Sequence, residues 1–179
     1  MARIGGTEIT IELGDITRST TDAIVNAANC TLLGGGGVDG AIHRAAGVKL
    51  LAYCATLGGC RTGEAKITPG FKLPAKYVIH TPGPVWSKSH AERCDALLRN
   101  SYFNSLSVAE ENGCKTLAFP SISTGIYHFP LERAAAIVAK TFAEYFTANP
   151  ESCLERVTMV CFDANTYSAY EKAFAERFD

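Results

Sequence analysis

The sequence predicts an α/β protein with helices packed on both faces of a central, largely parallel sheet. Three observations carry that expectation. Apolar runs of strand length alternate along the chain with segments of helical period. No internal repeat, low-complexity tract or Pro/Ser-rich linker interrupts the 179 residues, so one domain spanning 1–179 is expected. Hydrophobic residues make up 47% and charged residues 20%, the balance of an ordinary globular chain with an adequate core.

Taken in order, "TEITIEL" places Ile9, Ile11 and Leu13 at alternate positions, the pattern of a half-buried strand. "DAIVNA" is a short apolar run, preceded by a capping-box pattern at Ser19 and Asp22. A glycine run then opens onto a helix that carries His43. "EAKIT", "YVIHT", "TLAFPSI" and "RVTMVCF" read as further strands. "AERCDALLRNSYFNSLSVAEEN" repeats apolar residues at Leu97, Leu98, Tyr102 and Leu106 with helical spacing. "PLERAAAIVAKTFAEYF" does the same through Ala134, Ile137, Val138, Thr141, Phe142, Tyr145 and Phe146. Pro130 suits its first turn, and Asn149-Pro150 ends it.

Composition excludes several classes. A net charge of −1 gives no footprint for nucleic-acid binding as the main task. No window approaches ~18 uninterrupted apolar residues, so no membrane span is expected. The start, "MARIGGTEIT", lacks the apolar h-region of a secretory signal. Seven scattered cysteines form no C-x-x-C pair, so neither a zinc ribbon nor a thioredoxin-type site is signalled. Reduced thiols in a cytoplasmic protein are the expectation. Cys161 reads as a small core residue, and Cys30 is a weak candidate for a nucleophile.

In such folds ligands bind at the carboxyl ends of the strands. Four junctions there stand out: "GDIT", "NAANCTLLGGGGVDGAIHRAAG", "SISTGIYHFP" and "FDAN". Gly35, Gly37 and Gly40 match G-x-G-x-x-G, yet Asn26 to Leu33 separate them from the strand, and no acidic residue follows about 20 positions on. A nicotinamide-dependent oxidoreductase is therefore disfavoured. The G-K-[ST] ending of a phosphoryl-transfer loop is also missing. Two loops of small residues, one at Gly36–Gly37–Val38 and one at Ser123–Tyr127, would instead wrap a diphosphate with neutral backbone donors, Gly125 supplying unusual dihedrals.

"GDIT", "IVNAAN", "GGGGVDGAIHRAAG", "IHTPGP" and "FPSISTGIY" together resemble a macrodomain, specifically the MacroD-type ADP-ribose hydrolases. The resemblance spans nearly the whole chain. It implies a three-layer α/β/α sandwich with a mixed sheet and an ADP-ribose cleft. It also implies removal of mono-ADP-ribose from acidic side chains and deacetylation of O-acetyl-ADP-ribose, with no cofactor and no metal. ADP-ribose, O-acetyl-ADP-ribose and mono-ADP-ribosylated proteins are then the partners.

Carried over by residue, Asp15 matches the acceptor for the adenine amino group, with Ile16 beside it; a turn or cap aspartate is the alternative. Phe162 matches the aromatic position near adenine, with a core phenylalanine as the alternative and Asp163 a secondary candidate. Asn29 matches the asparagine on the distal ribose, while Asn26 is expected to fix the loop through backbone hydrogen bonds. Ser123, Thr124, Gly125, Ile126 and Tyr127 match the diphosphate and distal-ribose loop. His128 departs from the pattern, standing where many relatives carry glycine. His43 and His80 match no catalytic position and read as structural.

Asp39 falls in the first turn of the helix after the glycines, where a carboxylate is electrostatically favoured. It is either a helix-end charge or, with Asn29, the catalytic pair that orients water for attack on an ester. A non-catalytic ADP-ribose reader is the alternative from another class.

Overall fold

The computed structural model describes every residue from Met1 to Asp179. Seven strands form one sheet: β1 (Ala2–Ile4), β2 (Thr7–Leu13), β3 (Ala23–Ala28), β4 (Lys66–Pro69), β5 (Tyr77–Pro82), β6 (Thr116–Phe119) and β7 (Arg156–Cys161). Their order across the sheet is β1-β2-β7-β6-β3-β5-β4. The five inner strands run parallel, and only the edge strands β1 and β4 are antiparallel to their neighbours. The sheet is thus mixed but largely parallel.

Five helices cover it: α1 (Gly37–Ala46), α2 (Val48–Ala55), α3 (Ala91–Glu111), α4 (Leu131–Ala148) and α5 (Ala164–Phe178). Strand alternation sorts the core into two. Ala23 and Val25 of β3, with Leu117, Phe119, Val157 and Met159, pack against α3, α4 and α5. Ile24 and Ala28, with Val78, Ala118 and Val160, pack against Ile42 of α1 and Leu50 and Cys54 of α2. The period of two along each strand assigns successive residues to opposite helical layers.

This topology fixes where a site forms. The chain leaves β3 for α1 on one face and leaves β6 for α4 on the other, although β3 and β6 are neighbours. The loops at their carboxyl ends therefore diverge and open a crevice. The ends of β2, β7 and β5 border the same opening.

Several elements differ from the sequence reading. No helix begins at Ser19: Ser19 closes a 3-10 turn over Ile16–Arg18, and the Asp22 carboxylate accepts from the N–H groups of Lys115 (2.7 Å) and Thr116 (3.2 Å), tying β3 to the start of β6. "TLAFPSI" is strand only to Phe119, because Pro120 has no N–H to donate to a ladder. β1, α2 and α5 are not expected from the sequence pattern.

Candidate functional site

The β3–α1 loop is built around Asn29. Its Oδ1 accepts from Thr31 N–H (3.0 Å) and Thr31 Oγ1 (2.5 Å), and its Nδ2 donates to the Gly34 carbonyl (2.9 Å). One amide proton is left uncommitted. α1 then starts on glycines, with Gly36 at its N-cap and no side-chain cap over the first turn. Gly40 has no room for a side chain: a Cβ there would lie 2.5 Å from the Gly35 carbonyl oxygen. That close approach lets the glycine loop fold back onto α1.

Asp39 is 4% exposed. Its Oδ1 accepts from Asn26 Nδ2 at 2.8 Å, and His43, one turn further along α1, brings Nε2 to 3.5 Å from the same oxygen without a hydrogen bond. Its Oδ2 faces Gly35: a Cβ built there would lie 3.1 Å from Asp39 Oδ2 and 3.4 Å from Asn29 Nδ2. The Asn29 amide and the Asp39 carboxylate thus flank one bare backbone segment. Asn26 is held by side chains, Asp39 and His80, and not by the backbone hydrogen bonds expected of it.

The facing wall is the loop after β6. Tyr102 of α3 donates to the Pro120 carbonyl (3.1 Å) and accepts from Ile122 N–H (2.9 Å), and Tyr170 of α5 shares a hydrogen bond with Ser121 (2.8 Å). Burial pushes both phenols well above their usual range, so both stay neutral. None of the backbone N–H groups from Ser123 to Tyr127 donates within the protein, so the loop presents a row of free donors. The unusual dihedral belongs to Ser123 (φ 66°) and not to Gly125, whose φ is ordinary. His128 also takes a left-handed φ of 60°, which explains why a glycine suits its position. Trp86 N–H donates to the Tyr127 carbonyl (2.9 Å), and its ring packs on Phe129 with centroids 4.8 Å apart.

At the other end, Asp15 caps the 3-10 turn: its Oδ1 accepts from Thr17 Oγ1 (2.7 Å) and Thr17 N–H (3.0 Å). Those bonds hold its carboxyl below the usual carboxylate range, and Oδ2 remains free. Phe162 is 89% exposed, which excludes the core reading. Asp163 caps α5, accepting from Thr166 N–H at 2.8 Å.

These three segments border one cleft of about 580 Å³, within the range of small-molecule sites. Asp15, Ile16, Asn29, Gly36, Gly37, Val38, Asp39, Ser123, Thr124, Gly125, Ile126, Tyr127 and Phe162 all line it. Asn26, His43 and His80 lie behind its wall. Ala41 and Arg44 also line it and were missed. The helical spacing from Gly37 to Ala41 to Arg44 was the signal that would have found them. Gly83 was missed too; a Cβ on it would overlap Ser123 Oγ and Ile122, so this glycine lets β5 end against the loop. Cys30 is exposed but does not line the cleft, and Cys161 is 1% exposed in the core.

A family profile described as "Macro domain" matches residues 25–138. A "Macro domain-containing protein" of Lactiplantibacillus plantarum is 60% identical over 168 residues, spanning 94% of this chain and 96% of that protein. The "O-acetyl-ADP-ribose deacetylase 1" of Pantoea vagans is 50% identical over 169 residues, spanning 92% of this chain and 97% of that one. The solved structure of the Oceanobacillus iheyensis macrodomain with ADP superposes with a TM-score of 0.92 at 40% identity, spanning 98% of this chain and 95% of the other.

Proposed function

The chain belongs to the macro domain family, and from that premise we propose that it binds ADP-ribose and hydrolyses ester-linked derivatives, namely mono-ADP-ribosyl carboxylates on proteins and O-acetyl-ADP-ribose. The observation that carries the catalytic part is the Asn29–Asp39 pair across Gly35, at the end of a cleft whose far end holds Asp15 and Phe162.

Adenine sits beside Asp15, whose free Oδ2 accepts from the exocyclic amine, and Phe162 supplies an exposed ring for stacking. The diphosphate lies between two rows of backbone N–H groups, the first turn of α1 and the Ser123–Tyr127 loop. The distal ribose then reaches Asn29 and Asp39. With Oδ1 pinned by Asn26, Asp39 turns Oδ2 to the cleft, where it orients a water and takes its proton. The oxygen of that water bonds to the ester carbonyl carbon, the acyl C–O bond breaks, and the proton held by Asp39 passes to the departing ribose oxygen, so that ADP-ribose and a carboxylic acid leave. The name of the Pantoea vagans relative supports this reading.

The test is single-turnover hydrolysis of mono-ADP-ribosylated glutamyl protein and of O-acetyl-ADP-ribose, with and without a chelator. Turnover is expected for the wild type, unchanged by the chelator. Asp39→Ala is expected to lower turnover by on the order of 10²–10⁴ while keeping ADP-ribose affinity within about tenfold. Binding without turnover by the wild type would make the chain an ADP-ribose reader. Normal turnover by a stable Asp39→Ala protein would reduce Asp39 to a helix-end charge.

A further inference from the structure

We infer that His80 is a positioning residue for Asp39, acting through the side chain of Asn26; the inference rests on the hydrolase reading above. β3, β5 and β4 lie side by side, and Ile24, Ala28 and Val78 are among the apolar residues on their face toward α1 and α2. Asn26, His80 and Thr68 break that face with a polar row, exposed 0%, 0% and 1%. Asn26 and His80 are register partners on adjacent strands.

With Asp39 ionised, the donors and acceptors in this row have one consistent arrangement, which leaves Asn26 Oδ1 without a partner. Asp39 as a carboxylate is acceptor-only, so the atom of Asn26 that lies 2.8 Å from its Oδ1 is the amide nitrogen. The same nitrogen lies 3.1 Å from His80 Nδ1, and an amide nitrogen only donates. His80 Nδ1 is therefore the acceptor, and the ring proton sits on Nε2. Nε2–H donates to Thr68 Oγ1 at 3.0 Å, and the Thr68 hydroxyl passes its own proton to the Pro69 carbonyl at 3.1 Å. The Cys54 thiol, 3.8 Å from Nε2, closes the far side.

Both protons of the Asn26 amide are thus committed, one to His80 and one to Asp39. The plane of Asn26 is set from behind by a fully buried ring that touches side chains of β3, β4 and α2. That plane decides where Asp39 Oδ1 is fixed and so which way Oδ2 points into the cleft. Burial, with His43 nearby, pushes the His80 pKa down to about 3, which keeps the ring neutral and Nδ1 an acceptor at neutral pH.

Two near-isosteric variants separate this role from simple filling of the core. In His80→Asn the side-chain oxygen falls near the Nδ1 position and still accepts from Asn26. In His80→Gln the amide reaches the Nε2 position, serves Thr68, and leaves the Asn26 proton without an acceptor. Single-turnover rates, ADP-ribose dissociation constants and melting curves are measured for both, with His80→Leu as a third variant. His80→Asn is expected within about threefold of the wild-type rate, while His80→Gln slows by roughly ten- to a hundredfold through misplacement of Asp39. ADP-ribose affinity is expected to hold within about threefold in each. The double variant Asn26→Ala/His80→Gln should be no slower than Asn26→Ala alone. Nitrogen NMR of the wild-type imidazole should show Nδ1 unprotonated.

Equal slowing of the Asn and Gln variants, or a ring protonated on Nδ1, would overturn the role of His80 and leave the hydrolase reading standing. A wild type that binds ADP-ribose and turns over no ester would overturn both, and the NMR spectrum would still report the ring's protonation. If His80→Leu fails to fold, the Asn/Gln pair decides the matter.

Discussion

At the scale of single residues, the two ends of the cleft follow one rule: a carboxylate is fixed through one oxygen and offers the other. Asp39 is fixed by Asn26 and Asp15 by Thr17. For Asp15 this gives a prediction about base selectivity. Asp15→Asn keeps an oxygen for Thr17 but turns an amide nitrogen, a donor, toward the exocyclic amine of adenine. ADP-ribose binding should weaken by roughly 1–3 kcal/mol, and the preference for adenine over guanine should shrink or invert. Calorimetry with ADP-ribose and its guanine analogue checks this, and an unchanged preference would remove Asp15 from base recognition.

Single residues also mark the limit of reading a sequence. Asp39 and Asn29 were legible because each sits at a fixed offset within a long motif. The partners of Asn26 were not, because hydrogen bonds to a helix 13 residues on and to a strand 54 residues on leave no local pattern. His80 looked inert for the same reason. Asp163 was legible as a cleft residue, whereas its second role, as the N-cap of α5, was not, because no helix was expected there.

At the scale of elements, the strands between clear turn signals were legible and the helices were less so. α2 buries only Leu50 and Cys54 and exposes Val48 and Leu51, so it has no clean stripe to detect. α5 fully buries only Tyr170 and Phe174, with Tyr167, Ala173 and Phe178 packed half-buried beside them. β1 is three residues long. The Ser123–Tyr127 loop carries the prediction at this scale. Gly125 has an ordinary φ and open space where a Cβ would stand, so Gly125→Val should fold with a melting temperature close to wild type. Its branched side chain would crowd a cleft-lining segment, so ADP-ribose affinity should fall by roughly tenfold or more. Undiminished binding on the same preparation would show that this loop does not hold the diphosphate.

For the whole molecule, the buried polar row makes stability depend on pH. His80 takes up a proton near its ordinary pKa of about 6.5 when unfolded but only near pH 3 when folded. Between those values the unfolded chain binds the extra proton, so stability is full above about pH 6.5 and falls as the pH drops toward 3. One such proton gives a slope of at most about 1.4 kcal/mol per pH unit. Lowering the pH from 7.5 to 4.5 should therefore reduce the melting temperature by roughly 5–10 °C on this account. His80→Asn should remove that part of the loss, and a wild-type and variant pair with parallel pH profiles would show that His80 does not cause it.

The strap between Trp86 and the β6–α4 loop has an optical consequence. The chain contains one tryptophan, and its backbone is bonded to the carbonyl of Tyr127 while its indole rests on Phe129 and beneath the Arg133 guanidinium, 5.2 Å from the ring centroid. All intrinsic emission excited at long ultraviolet wavelength therefore originates beside the β6–α4 loop that lines the cleft. Saturating ADP-ribose should shift the intensity or maximum of that emission, with a midpoint equal to the calorimetric dissociation constant. Stopped-flow mixing would then time the loop's response without any added dye, and a spectrum unmoved at saturation would mean that the strap receives the diphosphate already in its final shape.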